Sequence, residues 1–351
     1  MAPGRNPIVD EDLRRLLAET LPWDRLAGKT LLISGATGLV GGYLTEALLY
    51  RNELLSGPPC RIVALVRDRD RAAARFAHHG TRADLQYLVQ PVEHPVPPGM
   101  KPDYIIHAAG NATPQLFASD PVGTYRGALL GTHHLLELAQ RSGSEGFLLL
   151  SSGAVHGVVP GERTIIDERV IGVVDPLDPY ACYAESKRMA ETMCAGWARQ
   201  YGVPVRIARL SHTYGPGLRQ DDDRAFAQFV YAIVERRDII LHTDGAAVRP
   251  YCYLSDAVDA LLRILLLGGS GEAYLLANDT AACSVLELAR LLVSLCPDRG
   301  SQLRMVAGSG AASIANRDPY HQLDTSKLRS LGWSPRVGVQ EGFHRTLRSL
   351  L

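Results

Sequence analysis

The stretch Thr30-Leu-Leu-Ile-Ser-Gly-Ala-Thr-Gly-Leu-Val-Gly-Gly42 decides the fold. Thr30 to Ser34 is apolar without polar alternation, the mark of a strand buried on both faces. Gly35, Gly38 and Gly41 follow immediately, and Tyr43 to Arg51 reads as the helix they open. Upstream, the leucine spacing of Asp10 to Leu26 predicts a leading helix. Downstream, apolar runs at Arg61 to Val66, Asp84 to Val89, Asp103 to Ala109, Gly146 to Leu150 and Val205 to Leu210 read as strands. Helical patterns separate them at Asp70 to His78, Tyr125 to Ser142 and Tyr183 to Tyr201. Apolar strands alternating with amphipathic helices imply a doubly wound α/β fold with a parallel sheet.

After about Gly215 the alternation weakens. Helical pieces at Ala225 to Arg236, Ser255 to Leu267 and Ser284 to Leu295 mix with short strands at Ile239 to His242 and Tyr274 to Ala277, followed by a loop-rich tail. The expected organisation is a helical extension over 1–27, a stretch over 28–214 that is mainly the dinucleotide-binding domain, and a stretch over 215–351 that is mainly a smaller α/β substrate-binding lobe.

Composition narrows the function. The 37 basic residues balance the 37 acidic ones, so no broad basic field is available for nucleic acid or an anionic membrane. Cys60, Cys182, Cys194, Cys252, Cys283 and Cys296 are scattered without CxxC spacing, which excludes a zinc ribbon; no metal is expected. The N-terminus lacks the apolar core of a secretory signal and no apolar stretch is long enough to span a bilayer, so the expectation is a cytoplasmic protein.

Three glycines in a strand-to-helix turn let backbone approach a pyrophosphate, whose charge the N–H groups at the helix N-terminus stabilise. Gly35, Thr37, Gly38, Leu39, Val40 and Gly41 are therefore candidate cofactor-binding residues. At the end of the second strand stand Arg67 and Asp68: the carboxylate would reach a ribose diol of NAD, whereas the guanidinium, with Arg69, would grip the 2′-phosphate of NADP. Tyr183-Ala-Glu-Ser-Lys187 sets a phenol and an ammonium one turn apart on a helix, in a chain with only four lysines. A phenol titrates near pH 10, and a neighbouring ammonium in a dry site can stabilise its anion. Ser151 and Ser152 follow directly on a strand, at the sheet edge where such folds bind ligands.

The GxxGxxG spacing, with Ser152, Tyr183 and Lys187 in that order, resembles the short-chain dehydrogenase/reductase superfamily. Ile106-His-Ala-Ala109, Asp120-Pro121, Gly131-Thr132, Ser151-Ser-Gly-Ala-Val-His-Gly157, Arg209-Leu-Ser-His-Thr-Tyr-Gly-Pro216 and Arg249-Pro-Tyr-Cys-Tyr-Leu-Ser-Asp256 extend the resemblance over about 28–345. They point to the extended, NAD-dependent epimerase/dehydratase branch that handles nucleotide-diphosphate sugars on a Rossmann sheet. The resemblance implies Ser152, Tyr183 and Lys187 as catalytic residues, with Ala108, Ala109, Gly110 and Ser151 beside the cofactor. It implies Ser152, His212, Arg224 and Arg249 on the substrate, the arginines gripping its diphosphate, and a homodimer through the helices near 125–142 and 183–201.

Within that family the segment after the fifth strand discriminates. Family 4,6-dehydratases carry an Asp-Glu pair where this chain has Gly153 and Ala154, which argues against a dehydratase. Glucuronate decarboxylases, which Tyr214 to Phe229 resembles, usually keep a glutamate at the position of Ala154. The favoured expectation is a 4-epimerase that oxidises C4 transiently, with a 4-ketoreductase or a UDP-glucuronate decarboxylase-like enzyme as alternatives. A non-catalytic redox sensor on the same fold has no need of Ser152, Tyr183 and Lys187 together. Ala128 and His212 stand where the family commonly has asparagine, which reshapes the sugar pocket.

Overall fold

The computed structural model describes residues 4–159, 165–178, 180–306 and 322–351. Asn6 caps α1 (Pro7–Leu17) by accepting from Ile8 N at 3.0 Å. Pro7 sits at the first helical position, where no N–H is needed. The helix ends well before Leu26: the chain turns ahead of Pro22, and Trp23–Leu26 forms a separate 3₁₀ turn.

The chain continues through β1 (Thr30–Ser34), α2 (Leu39–Leu54), β2 (Arg61–Val66), α3 (Arg69–Arg75), β3 (Leu85–Val89) and β4 (Tyr104–His107). Two helices, α4 (Pro114–Ser119) and α5 (Pro121–Ser142), lead to β5 (Gly146–Ser152), the short β6 (Ile165–Ile166) and α6 (Ala181–Tyr201). Next come β7 (Val205–Leu210), β8 (His212–Tyr214), α7 (Ala225–Val234), β9 (Ile239–Leu241), β10 (Val248–Tyr253), α8 (Leu254–Leu267) and β11 (Glu272–Leu276). The last elements are β12 (Ala282–Ser284), α9 (Val285–Leu295), β13 (Leu303–Met305), β14 (Gln322–Leu323), α10 (Ser326–Arg329) and α11 (Val339–Leu350). The loop-rich reading of 307–321 lies outside the described residues.

Seven strands form one parallel sheet in the order β11-β7-β5-β4-β1-β2-β3. The order reverses between β1 and β4, so helices leave to opposite faces there and a cleft opens at the carboxyl ends of the strands. Successive side chains take opposite faces. Leu31 and Ile33 pack with α2 and α8 residues such as Leu44, Leu48 and Leu261, whereas Leu32 packs with Leu135 of α5 and Cys194 of α6. Both faces are therefore dry, the Rossmann-like α/β arrangement expected from the apolar strands.

The pieces after 215 do not all sit in one lobe. β11 pairs in parallel with β7 and closes the edge of the main sheet, and α8 packs against the sheet beside α2. A sequence pattern does not reveal which strand a short apolar run will pair with. The smaller lobe consists of the β12-β10-β8 and β13-β9 sheets with α7, α9 and α11. Its core includes Phe226, Tyr251, Leu288 and Phe343, and Tyr214 stacks on Phe343 at 3.9 Å between centroids.

Buried Asp12 ties α1 to both parts. It accepts from Tyr43 of α2 at 3.2 Å, from Tyr253 of β10 at 2.7 Å and from Arg345 Nε of α11 at 2.9 Å. Removing one partner of such a buried pair typically costs about 3–5 kcal/mol. Among the described residues, no helix is long and apolar enough to cross a membrane.

Candidate active site

Gly38 is the N-cap of α2 in an extended conformation, with no side chain to satisfy the first turn. The N–H groups of Leu39, Val40 and Gly41 have no acceptor within the helix and lie at its positive end. Two glycines shape this cradle. Gly35 has φ +68°, and a Cβ there would lie 2.7 Å from Ala108 O and Ala109 N. A Cβ on Gly41 would lie 2.5 Å from Gly35 O. The ends of β1 and β4 are further joined by Ser34 Oγ, 2.7 Å from His107 Nδ1 and accepting from Ala109 N at 3.2 Å. Burial, reinforced by the charge of Lys187, holds the His107 imidazole down at about 3, so it is neutral. Thr37, Leu39, Val40, Ala108 and Ala109 are half-buried, while Gly38 and Gly110 are exposed, which leaves the cradle accessible. The residues fit the diphosphate of a dinucleotide: backbone donors, a helix terminus and space that any side chain would fill.

Arg67 and Asp68 are both exposed at the end of β2, and Asp68 caps α3 by accepting from Arg71 N at 3.0 Å. On the opposite side of the cleft, β5 ends in two serines whose side chains part. Ser151 Oγ donates to Glu191 Oε1 at 2.5 Å, into the layer of α6. Ser152 Oγ accepts from Ala154 N at 3.2 Å and lies near enough to the Tyr183 phenol to ease its ionisation.

Tyr183 and Lys187 lie in the first turns of α6. Burial pushes the Tyr183 phenol above its ordinary value, while Ser152 and the charge of Arg224 pull it back. Lys187 Nζ donates to Leu150 O at 2.8 Å and stands 5.9 Å from the centre of the Tyr183 ring. It also lies 3.6 Å from where a Cβ on Gly110 would stand, so it faces the end of β4. Burial lowers its pKa to about 8, and Glu191, one turn further along α6, works in the opposite direction.

The residues expected to bind substrate also converge. His212 on β8 packs edge-on against Tyr251 at 5.8 Å and Phe226 at 6.4 Å. Burial, then the charges of Arg249 and Arg224, hold its pKa down at about 3. Arg224 pairs with Asp222 through Nε at 2.9 Å and lies 4.7 Å over the Phe226 ring, and Arg249 Nη1 donates to Val248 O at 2.9 Å. Two guanidiniums near a neutral imidazole, one of them paired with Asp222, offer forked donors suited to an anionic ligand.

Two features carry no local sequence signal. Phe117 of α4 stacks on the Tyr183 ring with centroids 4.5 Å apart. Arg209 of β7 pairs with Glu191 at 2.7 Å, so that Ser151, Glu191 and Arg209 form a network behind Lys187. The spacing of Lys187 and Glu191, i to i+4 on one helix, was the only available hint of the second.

Known proteins share the sequence family and the fold. The model of the NAD dependent epimerase/dehydratase family matches residues 31–277. UDP-glucuronic acid decarboxylase 1 of Xenopus tropicalis is 30% identical over 327 residues, covering 91% of this chain and 71% of that protein. Two solved structures share the fold. One is UDP-glucose 4-epimerase from Thermotoga maritima, with TM-score 0.74, 20% identity and coverage of 91% of this chain and 97% of that one. The other is UDP-glucuronic acid 4-epimerase from Bacillus cereus in complex with UDP-glucuronic acid and NAD, with TM-score 0.73, 18% identity and coverage of 92% and 98%.

Proposed function

Because the chain belongs to the NAD dependent epimerase/dehydratase family, we propose that it oxidises the C4 carbinol of a UDP-glucuronate-type nucleotide sugar and decarboxylates the resulting ketone. The observation that carries this reading is the grouping of buried Lys187 with half-buried Tyr183 and Ser152 at the mouth of the glycine cradle. The curated relative at 30% identity is a UDP-glucuronic acid decarboxylase, which favours the carboxylated substrate. NAD, when bound, accepts the C4 hydride and returns it.

The remaining steps belong to the chain. Tyr183, as phenolate steadied by the Lys187 ammonium, takes the C4 hydroxyl proton while Ser152 donates to the same oxygen. The C4 ketone makes the C6 carboxylate a β-keto acid. When the C5–C6 bond breaks and CO₂ leaves, the electron pair passes to the C4 oxygen, where Tyr183 and Ser152 donate hydrogen bonds to the enolate. Solvent then supplies the proton that adds at C5, hydride returns to C4 and Tyr183 gives its proton back to the C4 oxygen. The electron sink is the ketone itself, so the step does not require a carboxylate at Ala154. Arg224 and Arg249 hold the diphosphate and His212 lines the sugar pocket.

A 4-epimerase is the second reading, favoured by Ala154, since epimerisation needs only hydride and proton transfer at one carbon. Incubation of the protein with UDP-glucuronate and NAD separates them. Released CO₂ with a UDP-pentose supports decarboxylation; UDP-galacturonate, the C4 epimer, supports epimerisation. Neither product from folded, NAD-binding protein overturns the UDP-glucuronate assignment. We also propose that two copies pair through α5 and α6, supported by the exposed Val122, Tyr125, Leu130, Met189 and Tyr201. A single-chain mass by light scattering overturns the pairing.

A further inference from the structure

On α2, little more than one turn beyond the glycine cradle, Glu46 is only 6% exposed. The chain returns to it after α3, where His78 and His79 lie in a 3₁₀ turn. Both imidazoles direct Nε2 at the same carboxylate oxygen, His78 at 3.0 Å and His79 at 2.7 Å. The other nitrogen of His79 lies 2.9 Å from Glu53 Oε1, two turns further along α2. Glu53 is held in turn by Arg5 at 3.0 Å and Arg82 at 2.7 Å. The His79 side chain is wholly withdrawn from solvent, whereas that of His78 keeps 19% exposure.

We propose that Glu46, His78 and His79 form a three-ligand site for a divalent transition-metal ion of the zinc class, with the fourth position opening to solvent beside His78. Their ligand atoms all lie within 4.8 Å of one another. Two imidazoles and a carboxylate are a zinc-type donor set that leaves one position open. A ligating histidine characteristically donates its far N–H to a carboxylate, the relation His79 has with Glu53. Tetrahedral bonds of about 2.0–2.1 Å separate ligand atoms by roughly 3.3 Å, so the two edges from Glu46 to the histidines, 3.0 and 2.7 Å, need open by only about 0.3–0.6 Å to admit the ion. Sequence reading expected no metal because it sought cysteine patterns, and these ligands come from segments over 30 residues apart.

Three guanidiniums oppose a cation here. Arg5 lies 3.3 Å from His79 Nδ1 but pairs with Glu53 and Asp10, and Arg82 pairs with Glu53 and Asp84. Arg75, close enough to feel the charge of Glu46, has no carboxylate of its own among the described residues. Its repulsion weakens the site relative to a purely acidic one. The ion would join α2 to the connection between α3 and β3 and takes no part in turnover.

The test uses the full chain without a histidine tag, stripped with chelator and then given one equivalent of Zn²⁺. About one zinc per chain should survive buffer exchange, the melting temperature should rise, and Co²⁺ in its place should give the visible absorption of four-coordinate cobalt. Glu46→Gln and His78→Gln should each lose most of the bound zinc and its thermal shift. His78→Gln keeps the buried contacts of Glu46, His79 and Glu53, and its cofactor binding checks that it is folded. Absence of stoichiometric zinc in the wild type, an unmoved melting temperature, or full retention by folded His78→Gln overturns the proposal.

Discussion

At the glycine cradle the groups offered to a ligand are the main-chain N–H groups of Leu39, Val40 and Gly41, whereas across the cleft they are side chains of His212, Arg224 and Arg249. The cradle is made by omission: each glycine is required because a Cβ would strike Gly35 O or the Ala108–Ala109 backbone. The far wall combines burial with charge: desolvation, then the nearby Arg249 and Arg224, keeps the His212 imidazole neutral. A site made of backbone tolerates many side chains but no added volume. A site made of side chains tolerates small shifts but not the loss of a charge. Between them, Lys187 combines both, since its ammonium is anchored on the backbone carbonyl of Leu150 and stands 5.9 Å from the centre of the Tyr183 ring.

The largest effect expected lies at that junction. Tyr183→Phe should lower turnover by roughly a thousandfold or more while cofactor affinity stays within about twofold, as loss of one acid–base group predicts. A rate within tenfold of wild type, with affinity unchanged, removes Tyr183 from proton transfer. Next, Gly41→Ala should weaken cofactor binding by roughly a hundredfold, about 2.7 kcal/mol, because the methyl must displace Gly35 O from 2.5 Å. Fluorescence titration with NADH measures it, and unchanged affinity would show that the turn can give.

The far wall should respond differently. Arg249→Met should raise KM for the nucleotide sugar by about tenfold, near 1.5 kcal/mol for a lost charged hydrogen bond, with kcat reduced less. An equal fall in kcat with KM untouched would move Arg249 from binding to chemistry. The activity of the wild type should decline above about pH 8 as Lys187 loses the proton whose charge Tyr183 needs. Glu191→Gln removes the group that favours the charged lysine, so it should move this alkaline limb to lower pH. A pH–rate profile unmoved by that variant would separate Glu191 from Lys187.

The smallest effect concerns stability. His107 and His212, both held at about 3, stay neutral when folded but protonate near 6.5 when unfolded. The unfolded chain then binds more protons, so stability should decline as the pH falls from about 6.5 toward 3. Asp256, raised to about 6 by burial, acts in the opposite direction over part of that range. His107→Asn should make the decline shallower, as read from urea midpoints; an unchanged slope would assign acid sensitivity elsewhere.

Much of the first half was legible because its signals are local. Thr30–Ser34, Arg61–Val66 and Val205–Leu210 coincide with the apolar runs read as strands, since burial on both faces favours apolar residues through most of each run. The helices α5 and α6 were legible from their periodicity, each ending in a left-handed glycine, Gly143 and Gly202. The nearness of Ser152 to Tyr183 follows from their positions at a strand end and a helix start.

By itself, then, the sequence determined the alternation of strands and helices, the glycine cradle and the one-turn spacing of Tyr183 and Lys187, because each depends on residues within a few positions of one another. Tertiary structure alone decided that Glu272–Leu276 completes the main sheet, that Phe117 covers the Tyr183 ring, that Arg209 reaches Glu191, and that His78 and His79 meet Glu46. Each of these joins segments far apart in the chain. Their contact depends on strand order and on the packing of helices across the sheet, which no local spacing encodes.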